Sequence, residues 1–299
     1  MEVMNEKMNF GEKIFQISLV VLFAILFIVC VYPFYYIFIA SISDPEEVKR
    51  QMVTWYPLGV TFGNYAQVLK LNGLLQSFFV SVARTVIGTT VSVFFTSILA
   101  YTLTKEELPF RKSFYKIAII SMYINAGLIP WYLTMRTLGL KDNFLVYILP
   151  SAVSVYSMIL IKTYMESISS GLEESAKIDG AGHFTIYRKI VMPICKPVLA
   201  AIVVFSAVGQ WNSWVDNLLL VDDMRLKTMQ LTLLEYLNQA ASVASMARSG
   251  GGSAISGVAI SPFTIRMTIT MVVTVPILIV YPFMQKYFIN GIMVGAIKG

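Results

Sequence analysis

Between residues 210 and 217 the chain reads Gln-Trp-Asn-Ser-Trp-Val-Asp-Asn, a polar and aromatic band at the end of an apolar run. The amides of Gln210, Asn212 and Asn217 can pair with sugar hydroxyls, and the indoles of Trp211 and Trp214 can stack on the apolar face of a pyranose ring. In a continuous helix, Gln210, Trp214 and Asn217 share one face by their i, i+4, i+7 spacing. Polar groups within a membrane span face the bundle interior or a water-filled cavity. The band therefore fits a solute pathway, but it also fits bonds between helices or subunits, or an interfacial aromatic belt. Asn125, Trp131 and Tyr132, around Gly127 and Pro130, form a second, sparser set of pathway candidates.

A different chemistry lies at about 165–193. Ser170-Gly171-Leu172-Glu173 has the form of a capping box, in which Ser170 accepts an amide hydrogen bond and Glu173 reaches back. Glu173 and Glu174 also suit the positive end of the helix dipole. Ala176 leaves room for another surface to approach closely, and Gly180 falls where a helix end calls for positive φ. A second short helix is expected from about His183 to Val191, before Pro193 opens the next span. The block is too polar to enter lipid and too well punctuated for a loose loop. It fits either a handle for a soluble partner or an amphipathic element whose Arg188, Lys189 and Lys196 meet anionic lipid.

The elements that must position these groups are membrane helices. Hydrophobic residues make up 57% of the 299 residues, charged ones only 13%, and the mean hydropathy is +0.69. Soluble domains carry about a quarter charged residues. Six apolar runs, at about 14–42, 78–103, 114–135, 144–164, 195–221 and 263–288, are long enough to cross the hydrocarbon core. The fold class is thus an all-α membrane protein with six transmembrane helices. Segment 1–13 forms an N-terminal tail, 14–299 a single transmembrane domain, and about 222–262 a long outer loop. The first run exceeds a signal-peptide core and reads as a retained span. The compact basic loop 104–113 places both termini and the 165–193 block in the cytoplasm. Arg84 and Arg266 then fall in the first turns of spans 2 and 6, near the outer surface. A net charge of +6 is what basic loops give such a protein, so no nucleic acid is expected. Cys30, Cys195 and the single His183 offer no disulfide framework and no metal site, and no catalytic constellation is present. No G-x-x-x-x-G-K-[ST] stretch provides a phosphate cradle.

Glu174, Ala176, Gly180, Ile190 and Pro193 fit the pattern E-x-A-x-x-x-G-x(9)-I-x-x-P. With Ser175 replacing an alanine, this resembles the EAA loop of type I, binding-protein-dependent ABC importer permeases. Gln210 to Trp214 resembles a Trp-Asn segment of sugar permeases. The tail Val280–Phe288, continued by Gly291 to Gly299, is similar to that of MalG-like carbohydrate permeases, in the polysaccharide group with LplC-like and YtcP-like proteins. The resemblance implies a MetI-like fold in a bacterial cytoplasmic membrane. It implies a heterodimer with a homologous permease subunit, two ABC ATPase subunits that use ATP and Mg, and an extracytoplasmic solute-binding protein that delivers a glycan. Glu173, Glu174, Ser175, Ala176, Asp179, Gly180, Ile190 and Pro193 would couple this chain to the ATPase, and the chain itself would bind no cofactor. The 222–262 loop fits either a contact with the solute-binding protein or, given Gly250 to Gly252, a linker with no contact role. The alternative is a secondary transporter driven by an ion gradient, for which Asp216 is the lone intramembrane carboxylate.

Overall fold

The computed structural model describes residues 10–70, 73–248 and 262–296, with the side chains of 240–248, 262 and 283–296 excepted. Residues 249–261 of the suggested contact loop, and the end of the C-terminal signature, lie outside those residues. Every regular element among the described residues is helical. The chain divides into two compact units, 1–70 with 239–272 and 71–238 with 273–299.

In the first unit, α1 (Phe10–Ser41) spans 32 residues and runs through Pro33. Asp44 caps α2 (Pro45–Lys49) by accepting the Glu46 N–H at 2.8 Å, and Pro45 occupies a first-turn position where its missing N–H costs nothing. Asn64, in α3 (Gly63–Leu69), is 2% exposed and donates its amide to the carbonyls of Ser41 at 3.0 Å and Ser43 at 2.9 Å. It thereby satisfies carbonyls freed at the end of α1. Ile39, Ala40, Val48, Val53 and Met267 form the apolar cluster beneath.

The second unit is organised on α4 (Leu74–Thr102). Its buried face carries Ser77, Ser81, Arg84, Gly88, Ser92, Thr96 and Ala100, small or hydroxyl-bearing residues apart from Arg84 and spaced three or four apart. Small residues let helix backbones approach closely where lipid provides no hydrophobic drive. Leu75, Phe79, Val86, Ile87, Phe94 and Phe95 occupy the exposed side. The buried face packs against α7 (Val155–Glu166) and α11 (Lys196–Asn212).

Among the described residues, three helices are long and apolar enough to cross a membrane: α1, α4 and the Phe263–Pro282 part of a C-terminal helix, Pro262–Ala296, that runs through Pro276 and Pro282. Three further crossings exist only as bent pairs, giving up to six. Helices α5 (Arg111–Tyr123) and α6 (Leu128–Thr137) meet at 119°, where Asn125 accepts the Gly127 N–H at 2.9 Å and Gly127 has φ +86°. The fourth run breaks by 46° between 3-10 turns at Phe144–Ser151 and α7, with Pro150 in the turn and Ser154 capping the helix. The fifth run does not form the single helix expected over 195–221. It stops at Asn212 and resumes as α12 (Val215–Leu220), while a separate 83° bend separates 183–194 from 196–212.

Replacing Asn64 by alanine removes two hydrogen bonds and strands two carbonyls. We expect a loss of about 2 kcal/mol, measured as a lower midpoint of thermal unfolding in detergent.

Candidate functional site

Two polar sites stand out in the second unit. The first is built on α8 (Ser170–Ile178). Its N-cap is Ser169, in extended conformation and without a side-chain cap bond, so the Ser170–Glu173 capping box does not form. The reason is tertiary: the Glu173 carboxylate pairs with the Lys105 ammonium, which also lies 4.0 Å from the centre of the Tyr101 ring. One helical turn later, Lys177 donates to Glu107 at 2.7 Å. That hydrogen bond, with the charge behind it, holds the Glu107 carboxyl below and the Lys177 ammonium above their ordinary ranges. Two ion pairs of opposite polarity thus brace α8 on the 103–111 loop.

The helix ends as the glycine spacing predicts. Gly180 takes φ +81° and donates its N–H to Lys177 at 3.0 Å, and Ala181 donates to Ala176 at 2.9 Å. This is the paired 6→1 and 5→2 closure of a Schellman motif. Ala176 and Ile190 turn toward the chain's own core, around Tyr101, Met165 and Tyr187, so they are half-buried. Glu174, Ser175, Asp179 and Pro193 are exposed. So are Leu172, Phe184 and Ile178, the last at 86%.

Beyond Gly182 the expected second helix is only half α-helical. After α9 (His183–Ile186), residues Tyr187–Val191 form a π turn in which Met192 donates to Tyr187; the short α10 (Met192–Ile194) follows and contains Pro193. Proline cannot donate to the carbonyl four residues back, and the wider ladder just before it accommodates that missing bond.

The second site is a cavity of about 560 Å³ enclosed by α4, the turns before α7, and α11. Six serines, Ser92, Ser151, Ser154, Ser157, Ser206 and Ser213, line it together with Trp131, Tyr147, Tyr156 and Gln210. Arg84 and Asp216 supply its charge. Arg84 lies in the third turn of α4, 3% exposed, rather than in a first turn at the surface. Its guanidinium makes a two-armed pair with Asp216, with Nη1 donating to Oδ1 at 3.0 Å and Nη2 pairing with Oδ2. Nε donates to Gln210 Oε1 at 3.0 Å, Nη1 reaches the Ser213 carbonyl at 3.2 Å, and the group stacks 4.5 Å from the Tyr147 ring centre. Gln210 in turn donates to Ser151 Oγ at 2.7 Å. A methyl group on Gly88 would meet the Gln210 amide nitrogen at 2.7 Å, so any larger residue there would push the Gln210 amide out of its present position.

This network corrects the sequence reading of the 210–217 band. Ser213 is extended, so Gln210, Trp214 and Asn217 do not share a helical face. Trp211 is buried away from the cavity, donating its indole N–H to the Val273 carbonyl at 3.1 Å and packing edge-on to Phe78. Asn217 is buried as an acceptor for the Thr228 N–H and hydroxyl. Asn212 is exposed and bonds back to Val208, and Trp214 is half-buried at the break. Asn125 serves the α5–α6 turn, and Tyr132 packs with the Leu140–Val146 cluster. Of the pathway candidates Gln210 and Trp131 line the cavity, as do Ser213 and Asp216 of the 210–217 band. Arg84 and the serines other than Ser213 were missed, although a lone arginine in an apolar helix signals a buried counter-ion elsewhere.

No family model matches the chain. Over 273 residues it is 35% identical to the polygalacturonan/rhamnogalacturonan transport system permease protein YtcP of Bacillus subtilis (strain 168), covering 91% of this chain and 94% of that protein. Protein LplC of the same organism is 33% identical over 271 residues, 91% of this chain and 90% of that one. Among solved structures, a bacterial ABC transporter involved in the import of the acidic polysaccharide alginate contains a chain with TM-score 0.85 and 30% identity, covering 95% of this chain and 100% of that one.

Converting Asp216 to asparagine leaves a buried guanidinium without its counter-ion. It should cost about 3–5 kcal/mol, whereas Arg84→Met with Asp216→Leu should recover most of it. Thermal unfolding of the three proteins in one detergent checks this; a double variant no better than Asp216→Asn would show that the pair is not the source of the loss.

Proposed function

The chain belongs to the permease subunits of ABC carbohydrate and polysaccharide importers, and from that premise we propose that it carries an oligosaccharide or polysaccharide-derived glycan across a bacterial cytoplasmic membrane. In this reading its six crossings, three of them bent, leave both termini and α8 in the cytoplasm. A homologous permease subunit completes the pathway, two ABC ATPase subunits supply the energy of ATP with Mg, and a solute-binding protein delivers the glycan from outside. The relatives' names point to uronic-acid-rich polymers, and a serine-lined cavity offers hydroxyl partners for sugar hydroxyls and carboxylates alike.

The observation that carries the coupling role is α8 itself. Braced on one side by Lys105–Glu173 and Glu107–Lys177, it presents Glu174, Ser175, Ile178 and Asp179 on the other. A partner that grips that face moves the 103–111 loop as well, and with it the end of α4. The α7–α4–α11 core then carries the displacement toward the cavity. The ion-gradient alternative loses its candidate relay, because Asp216 is committed to Arg84 and Ser213.

Glu174→Lys, on the exposed face, should leave the permease inserted but abolish co-purification with the ATPase. Gly180→Pro should do the same by removing the closing bonds of α8. Reversal at the brace tests transmission separately. Lys105→Glu alone should retain ATPase binding yet lower uptake per ATP hydrolysed about tenfold or more, and Lys105→Glu with Glu173→Lys should restore it. Normal uptake in all of these would rule out the loop as the coupling element. The solute is tested by binding a panel of neutral and uronic-acid oligosaccharides to the cognate solute-binding protein.

A further inference from the structure

A second cleft, of about 580 Å³, is lined by residues at the N-terminal end of α11, whereas the serine cavity uses the other end of that helix. Phe94 of α4, Leu199 of α11, and Phe184, Tyr187, Met192 and Pro193 line it together with the exposed Arg188 and Lys196. We propose that this cleft is a binding site for an anionic phospholipid, with the phosphate between Arg188 and Lys196 and an acyl chain along Phe94 and Leu199.

Three observations support that occupant. The first is the polarity of the walls. Phe94 stands on the exposed apolar side of a membrane-crossing helix, eight residues before its end, and Leu199 lies one turn inside α11. Apolar wall from two spans and exposed cations therefore share one cleft, the chemistry of the boundary between acyl chains and headgroups. The second is charge. Arg188, Lys189 and Lys196 are exposed, and none has an ion-pair partner among the described residues, in contrast to Lys105, Lys162 and Lys177 nearby. A free soluble anion would have no use for the aromatic wall, and a neutral lipid none for the paired cations. The third is backbone shape. The π turn at Tyr187–Val191 and the 83° bend at Cys195 place the two cations, eight residues apart in sequence, on one opening.

The site rests on membrane insertion, not on the identity of the solute. A bound lipid would tie the segment between α8 and α11 to the membrane surface, so the coupling element would have a fixed base against which to move. The proposal needs only this chain's own residues.

The test uses the assembled transporter purified in detergent and exposed to phosphatidylglycerol or phosphatidylcholine, with retained lipid counted by native mass spectrometry. The wild type should retain phosphatidylglycerol in preference. Arg188→Gln with Lys196→Gln should weaken retention about 25-fold, about fivefold per charge removed. Arg188→Lys with Lys196→Arg should keep it, and Lys70→Gln with Lys112→Gln, which removes equal charge elsewhere, should change nothing. Phe94→Ala should also weaken retention, which a bare phosphate site would not show. Equal retention of the two lipids, full competition by inorganic phosphate, or unchanged retention in the Arg188/Lys196 double variant would each overturn the proposal. So would crosslinking from Arg188→Cys that places the second permease subunit in the cleft.

Discussion

A guanidinium buried at 3% exposure inside an apolar helix sets terms that the rest of the second unit must meet. Arg84 has five donors and a permanent charge, and in a low-dielectric interior each needs an acceptor. One carboxylate cannot provide them all. The fold answers by ending α11 at Asn212, which frees the Ser213 carbonyl and swings Asp216 to face the guanidinium. Gln210 takes the remaining edge and passes the network on to Ser151. The interrupted helix is therefore the geometric consequence of neutralising a charge. The polar cavity exists because the groups that do so also hold α4, α11 and the turns before α7 around a shared opening.

Helix α11 connects the two sites. It begins just past the bend at Cys195, beside the π turn, and ends at the break that Arg84 organises. Its 17 residues make a rod about 25 Å long, packed along the small-residue face of α4. A rod with a hinge at each end transmits rotation or translation better than it absorbs it. The segment that follows α8 leads into one end, and the serine-lined wall lies at the other.

The positions of the apolar runs were legible because hydropathy over twenty residues depends on little besides composition. Gly180 was legible because a helix end before a turn strongly favours a residue without a Cβ. What escaped were features set by partners distant in sequence. Glu173 has the local signature of a capping box, but Lys105, 68 residues away, offers a full charge where the backbone offers only an amide. Gln210, Trp214 and Asn217 have helical spacing, but a pattern of side chains cannot show that Arg84, 129 residues before Ser213, holds that residue's carbonyl out of the helix. Trp211 and Asn217 looked like solute-binding chemistry because their polar atoms are conspicuous in a list of letters. In the fold, the Trp211 indole N–H and the Asn217 side-chain oxygen satisfy the chain's own backbone.

The two pairs under α8 alternate in sign, Lys105 with Glu173 and Glu107 with Lys177. Displace the helix by one turn along the loop and ammonium would face ammonium, or carboxylate face carboxylate. The contact has a single register, like a key with one orientation in its lock. A force applied to the helix can rotate the pair of elements together, but it cannot make one ratchet along the other, so motion arriving at α8 is conserved rather than lost as slip.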